Sequence, residues 1–220
     1  MFLFLDIETT GLDPHWDSIL EIGIQGFSND LKFVPHHYYS SFVKPRTTWL
    51  SRINSVPVVK EMHADSGLTK SITLLERTLP SVAEVETKAL KFLDDMDLKP
   101  GTMPMCGSSV QFDRLFLAVY MPRLEAWFHY RNIDVSTIRE LAKQWYPDLD
   151  EPDVKPMAKH RVMSDIMDSV HLLQHYRNTI FKATPSAVVC EHLSPHPVGG
   201  GAPFGTITDT SEVPFIEPWE

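Results

Sequence analysis

The chain has 220 residues, 43% hydrophobic and 22% charged, which suits one globular domain with a sizeable core. A formal net charge of −9 argues against tight nonspecific binding to long nucleic acid, and leaves room for a small anionic substrate held by metal ions and a few local donors. Two cysteines, Cys106 and Cys190, make no disulfide framework and fit a reducing compartment.

The chain opens on FLFLDIETTGLDP, from Phe2 to Pro14. Phe2, Leu3, Phe4, Leu5 and Ile7 surround Asp6 and Glu8, and the run stops at Thr9-Thr10-Gly11, so it reads as a buried strand entering a turn. Side chains alternate along a strand, which puts Asp6 and Glu8 on one face. Paired carboxylates at the end of an apolar strand repel each other and are costly to bury without a cation. Hard divalent ions with oxygen ligands supply that charge. A lone D-x-E is more often a solvated strand end, so its meaning depends on residues further along. The apolar run is short for a signal-peptide core and lacks a basic flank, and no stretch approaches membrane-spanning length. The expectation is a cytoplasmic protein with no membrane partner.

Ile19 to Phe27 predicts a second strand and Leu31 to Val43 a third, joined as a hairpin by Ser28-Asn29-Asp30. Pro45 to Asn54 reads as loop, and Val56 to Leu79 as short helices around EMHADSGL. Ser81 with Glu84 makes a capping box for a helix from Val82 to Met96. Gly101 to Cys106 is a turn feeding a short strand. VQFDRLFLAVYMPRLEAWF is helical with a break near Pro122. Arg131 to Val135 predicts a last strand, and Ser136 or Thr137 a cap for the helix Ile138 to Trp145. Pro147 to Lys159 is a proline-bearing loop before a final helix from about Val162 to Phe181, with an apolar stripe of Met163, Ile166, Val170, Leu173 and Ile180. Residues 1–182 thus form one α/β layered domain, a sheet flanked by helices. Residues 183–220 hold six prolines, three consecutive glycines, five acids and no lysine or arginine, and read as an extended or disordered tail. The tail carries −5 of the −9, so the body is only −4.

Asp113 near the start of a helix, and His160 and Asp165 around the start of the last one, join Asp6 and Glu8. Five residues apart inside one helix, His160 and Asp165 would diverge, so His160 is expected on the preceding loop. Each alone reads as a helix-terminal charge or an exposed loop residue. As a set, four carboxylates can hold two divalent ions and a histidine can accept a proton from water, the parts that two-metal phosphodiester hydrolysis needs.

D-x-E, then D, then H-x-x-x-x-D is the order of the DEDDh exonucleases of the RNase H-like (DnaQ-like) superfamily, whose sheet is mixed. DIETTGLDP, MHADSGL, CGSSVQFDRLFL, YMPRLEAWFHYRNIDVSTIRELAKQW and HRVMSDIMDSVHLLQHYR together resemble the oligoribonuclease family across residues 1–180. The resemblance implies a 3′-to-5′ exoribonuclease that cleaves very short RNA oligonucleotides and works as a homodimer with two Mg²⁺ or Mn²⁺ ions. By matching position it implies Asp6, Glu8, Asp113 and Asp165 as metal ligands and His160 as general base. It implies Leu12 as a wedge between bases, His63 near the substrate, Tyr130 as an aromatic supplied across the dimer, and Ser109, Arg131, Ser136 and Thr137 as a 5′-phosphate cap. The family's tryptophan five residues before the matched His63 is Val58 here, so the stacking platform is lost or moved, with Trp49 a candidate. Two other readings stay open: an exonuclease of the same type acting on single-stranded DNA, and a non-catalytic binding member of the fold.

Overall fold

The opening apolar run forms strand β1 (Phe2–Thr9), and the hairpin follows as β2 (Ile19–Phe27) and β3 (Phe33–Phe42). A computed structural model describes residues 1–149 and 160–181 of the chain. Short helices α1 (Trp49–Ser55), α2 (Pro57–Asp65) and α3 (Leu68–Leu75) lead to α4 (Val82–Asp95). Strand β4 (Pro104–Gly107), helices α5 (Val110–Tyr120) and α6 (Pro122–Trp127), strand β5 (His129–Asp134), and helices α7 (Val135–Trp145) and α8 (Val162–Thr179) complete the described residues. The sheet order is β3-β2-β1-β4-β5. The first three strands are antiparallel neighbours, whereas β4 runs parallel to β1 and to β5, so the sheet is mixed.

The local signals account for most of these elements. Ser81 Oγ accepts the Glu84 N–H while the Glu84 carboxylate accepts the Ser81 N–H, which closes the expected capping box. Pro122 opens α6 at a position where no helical N–H is needed.

Three expectations need correction. Pro45 to Asn54 is not all loop, because Trp49 and Ile53 bury one face of α1 in a cluster with Leu20, Leu68 and Ile72. Helix α7 is capped by Asp134, whose side chain accepts the Ser136 N–H, so neither Ser136 nor Thr137 is the cap. The last strand starts at His129, two residues early, and β3 starts two residues late. The expected 147–159 loop lies mostly outside the described residues, and the expected tail lies wholly outside them.

Both faces of the sheet are covered. Leu3, Leu5 and Ile7 pack with Val85, Ala89, Phe116 and Leu124 from α4, α5 and α6. On the other face Phe4, Phe27 and Cys106 meet Val135 of α7 and Ile166, Val170 and Leu173 of α8. Asp6 and Glu8 continue the row begun by Phe2 and Phe4, so strand alternation places both carboxylates on the α8 side. Helix α8 lies close to β2: a Cβ on Gly23 would stand 2.8 Å from Val162 Cγ2. Strands β1 and β4 pair only at Leu3–Met105 and Phe4–Cys106, and beyond that the sheet opens where the carboxylates stand. Gly107 allows the divergence to begin tightly, since a Cβ there would meet the Leu5 carbonyl oxygen at 2.9 Å. Among the described residues no helix is long and apolar enough to cross a membrane.

Candidate metal centre and substrate cleft

Carboxylate oxygens of Asp6, Glu8 and Asp165 all lie within 4.8 Å of one another. Asp6 and Glu8 come from β1, and Asp165 comes from the first turn of α8. Asp113, in the first turn of α5, is buried, and its Oδ1 accepts the Ile7 N–H at 3.0 Å. That bond ties α5 to β1 between the two strand carboxylates, on the side where β4 has already left the strand.

The set is electrostatically unbalanced. Burial, then the charges of Asp113, Glu8 and Asp165, hold Asp6 well above the usual carboxylate range. Burial, then Asp165, push Glu8 up to about 9, and Glu8 and Asp165 share a hydrogen bond between carboxyl groups. Burial raises Asp113 to about 8 against the pull of the Ile7 N–H. Asp165 is also raised, burial outweighing its favourable contacts with His160 and Glu8. Four acids held above their ordinary range in one pocket fit hard cations with oxygen ligands. The donor set therefore suits divalent metal, and bound ions would return these groups to their ionised form.

His160 sits two residues before α8 in the left-handed region, at φ 63°, half-buried and off the helix as expected. His63 lies against Glu8 and the end of β1. It is fully buried, with Nε2 donating to the Thr9 carbonyl at 2.7 Å and Nδ1 3.8 Å from Glu8 Oε2. No part of its ring is exposed in this structure.

Leu12 is 79% exposed on the loop after β1. The loop is cross-linked beneath it: buried Asp17 accepts from Thr10 Oγ1, the Asp13 N–H and the Arg52 guanidinium. Ser109, Ser136 and Thr137 line one cleft of about 320 Å³ with Gln111, Asp134, Glu140 and Gln144. Ser109 and Ser136 share a hydroxyl–hydroxyl bond of 3.1 Å, and Asp134 Oδ1 accepts both backbone N–H groups. Arg131 does not line this cleft; its guanidinium lies 5.0 Å from the Tyr130 ring centroid on β5, an edge strand. Tyr130 is itself largely exposed.

The RNase T exonuclease family model matches residues 3–173. The oligoribonuclease of Marinobacter nauticus is 40% identical over 186 residues, covering 82% of this chain and 96% of its own. That of Aromatoleum aromaticum is 38% identical over 189 residues, covering 83% and 96%.

The chain belongs to the oligoribonuclease family.

It is accordingly a metal-dependent 3′-to-5′ exonuclease. Solved structures agree on the fold. Exonuclease I of Methylocaldum szegediense superposes with a TM-score of 0.56 at 14% identity, covering 82% of this chain and 41% of that one. E. coli exonuclease I in complex with a dT13 oligonucleotide gives 0.58 at 15%, covering 80% and 40%. The chain thus spans about two fifths of those exonuclease I chains.

Within this oligoribonuclease-family chain the stacking platform has not moved to Trp49. That side chain is only 4% exposed and packs against Ile53, Leu68 and Ile72. Val58, at the family's tryptophan position, is 73% exposed on α2. Sequence reasoning missed Asp134, which a cap one residue before a helix flags, and Glu21 and Arg161. Arg161 makes two 2.8 Å bonds to Glu21 across 140 positions, with no local signal to betray it.

Proposed function

We propose that the protein hydrolyses RNA dinucleotides and short oligomers from the 3′ end to nucleoside 5′-monophosphates. The observation that carries this reading is the convergence of Asp6, Glu8 and Asp165 within 4.8 Å at the open end of β1, in a chain 40% identical to an oligoribonuclease. Asp6, Glu8, Asp113 and Asp165 would hold two divalent cations, Mg²⁺ or Mn²⁺. Bound there, such ions neutralise the charge that develops on the transferred phosphoryl group. His160, off the helix and half-buried beside Asp165, accepts the proton of the attacking water.

Leu12 separates the two bases, and the Asp17 network beneath it keeps the wedge in place. Ser109, Ser136 and Thr137 receive the 5′-phosphate in their cleft, and Arg131, which rests against Tyr130 outside that cleft in this structure, swings in to contribute the cation; charge-assisted bonds favour the anion. Such a cap closes the groove at one end and measures length, which suits a body with net charge of only −4 and no basic track. Tyr130, exposed on an edge strand, reaches the substrate of a second copy in a homodimer. The protein works in the cytoplasm on single-stranded oligonucleotides.

The test is a panel of RNA and DNA oligonucleotides from two to about ten nucleotides, with Mg²⁺, Mn²⁺ or EDTA. Preference for short RNA supports the reading. Preference for DNA replaces it with a DNA exonuclease, and no hydrolysis under any condition replaces it with a binding module.

A further inference from the structure

One half-buried ion pair lies beside the candidate metal ligands without belonging to them. Glu21 stands directly opposite Glu8 in the β1–β2 register, and Phe42 stands opposite Glu21 in the β2–β3 register. The three side chains therefore form a row across the sheet on the α8 face. Arg161 lies over this row. Its Nε and Nη2 donate to the two Glu21 oxygens at 2.8 Å each, and its guanidinium carbon sits 5.4 Å from the Phe42 ring centroid. Glu21 is buried and Arg161 is partly exposed.

Arg161 also joins His160 to helix α8. It follows His160 and precedes α8, and its carbonyl accepts the N–H groups of Ser164 and Asp165 at 2.8 and 3.0 Å. Val162 beside it packs against the bare backbone of Gly23. A forked, planar contact fixes orientation in a way that a point charge does not.

We propose that the Arg161–Glu21 pair is a positioning clamp for the reaction: it locks His160 and Asp165 against β2 and keeps the Arg161 charge off Glu8. Glu21 has two tasks in this account. It anchors the segment, and it occupies a guanidinium that otherwise turns to the neighbouring Glu8 and competes with the metal. The inference rests on the nuclease reading for its kinetic part, and its metal-binding part stands without it.

The experiment measures Mn²⁺ affinity without substrate, by electron paramagnetic resonance, alongside kcat and KM on a 5′-phosphorylated dinucleotide and thermal midpoints. Glu21→Gln frees Arg161 beside Glu8. It is expected to weaken Mn²⁺ binding about tenfold or more and lower kcat about ten- to a hundredfold, the range for groups that orient metal ligands, with little change in KM. The double variant Glu21→Gln/Arg161→Met removes the competing charge, so Mn²⁺ affinity recovers while kcat stays low. Arg161→Lys keeps the charge without the fork and is expected to hold Mn²⁺ affinity with a reduced kcat. It also serves if Glu21→Gln fails to fold. A fall in thermal midpoint with Mn²⁺ affinity and kcat unchanged in Glu21→Gln would reduce the pair to a structural role and overturn the clamp, as would an Arg161→Lys enzyme with full kcat. Mn²⁺ effects as expected in a protein that hydrolyses no oligonucleotide would keep the metal half and reject the nuclease reading instead.

Discussion

His160 and Trp49 show how differently two conspicuous side chains act. His160 stands off its helix beside Asp165 and contributes little to the core. His160→Ala is therefore expected to cut turnover while leaving the melting temperature and metal affinity near those of the parent; unchanged turnover would remove it from the mechanism. Trp49 is a core residue, and Trp49→Ala is expected to cost about 3–5 kcal/mol of stability, read by denaturant unfolding, with substrate affinity unaffected where the protein remains folded. Val58, exposed on α2, is the converse case. Since base stacking on an aromatic is worth ~1–3 kcal/mol, Val58→Trp is expected to lower the KM for short RNA, measured across the length panel.

At the scale of elements, legibility followed the distance over which each signal acts. Strand β1 was readable because its apolar run and its two same-face carboxylates lie within eight residues. The capping box at Ser81 and Glu84 was readable for the same reason. Helix α1 was hidden: it has seven residues, no acid in its first turn and no side-chain cap, and it exists because Trp49 and Ile53 find Leu20, Leu68 and Ile72. The cap of α7 was misplaced because β5 passes directly into the helix, leaving Asp134 to end one element and start the next. In the site, the order and chemistry of Asp6, Glu8, Asp113, His160 and Asp165 mark them as a set, and the structure brings oxygens of Asp6, Glu8 and Asp165 within 4.8 Å of one another. The burial of His63 and the reach of Arg161 to Glu21 were not legible, since both depend on contacts between distant segments. Asp134 now carries a consequence. Asp134→Ala removes the acceptor for the Ser109 and Ser136 amides, and is expected to cost about 1 kcal/mol in stability and to weaken the preference for a 5′-phosphate, measured by comparing phosphorylated and unphosphorylated dinucleotides.

For the whole molecule, the carboxylate cluster couples folding to pH and metal. Glu8 near 9 and Asp113 near 8 mean that the folded, metal-free protein holds protons that the unfolded chain has already released. The associated stability is fully present below the ordinary carboxylate range and is lost as pH rises through those folded values. The melting temperature in EDTA is therefore expected to fall between about pH 5 and pH 9, and saturating Mg²⁺ to reduce the fall, because the ions bind only the assembled site. A flat profile in EDTA would contradict the buried-acid account. A chain ending near Ala183 is expected to fold and keep activity, because the acidic, proline-rich remainder lacks a periodic apolar face; loss of dimerisation or solubility would make that segment structural.

The central claim is that a metal-dependent site at the end of β1 is matched to very short RNA by a cap at one end of its groove. The most direct measurement is the initial rate on 5′-phosphorylated RNA from two to about ten nucleotides, in Mg²⁺ and in EDTA, for the parent and for Arg131→Ala. Losing a hydrogen bond to a charged group costs roughly 1.5–3 kcal/mol, or about ten- to a hundredfold at roughly 1.4 kcal/mol per decade. The account expects the dinucleotide to be cleaved fastest, Arg131→Ala to erase much of that advantage while sparing longer chains, and EDTA to abolish hydrolysis. Equal rates on two-mers and ten-mers in the parent, or full activity in EDTA, would contradict it.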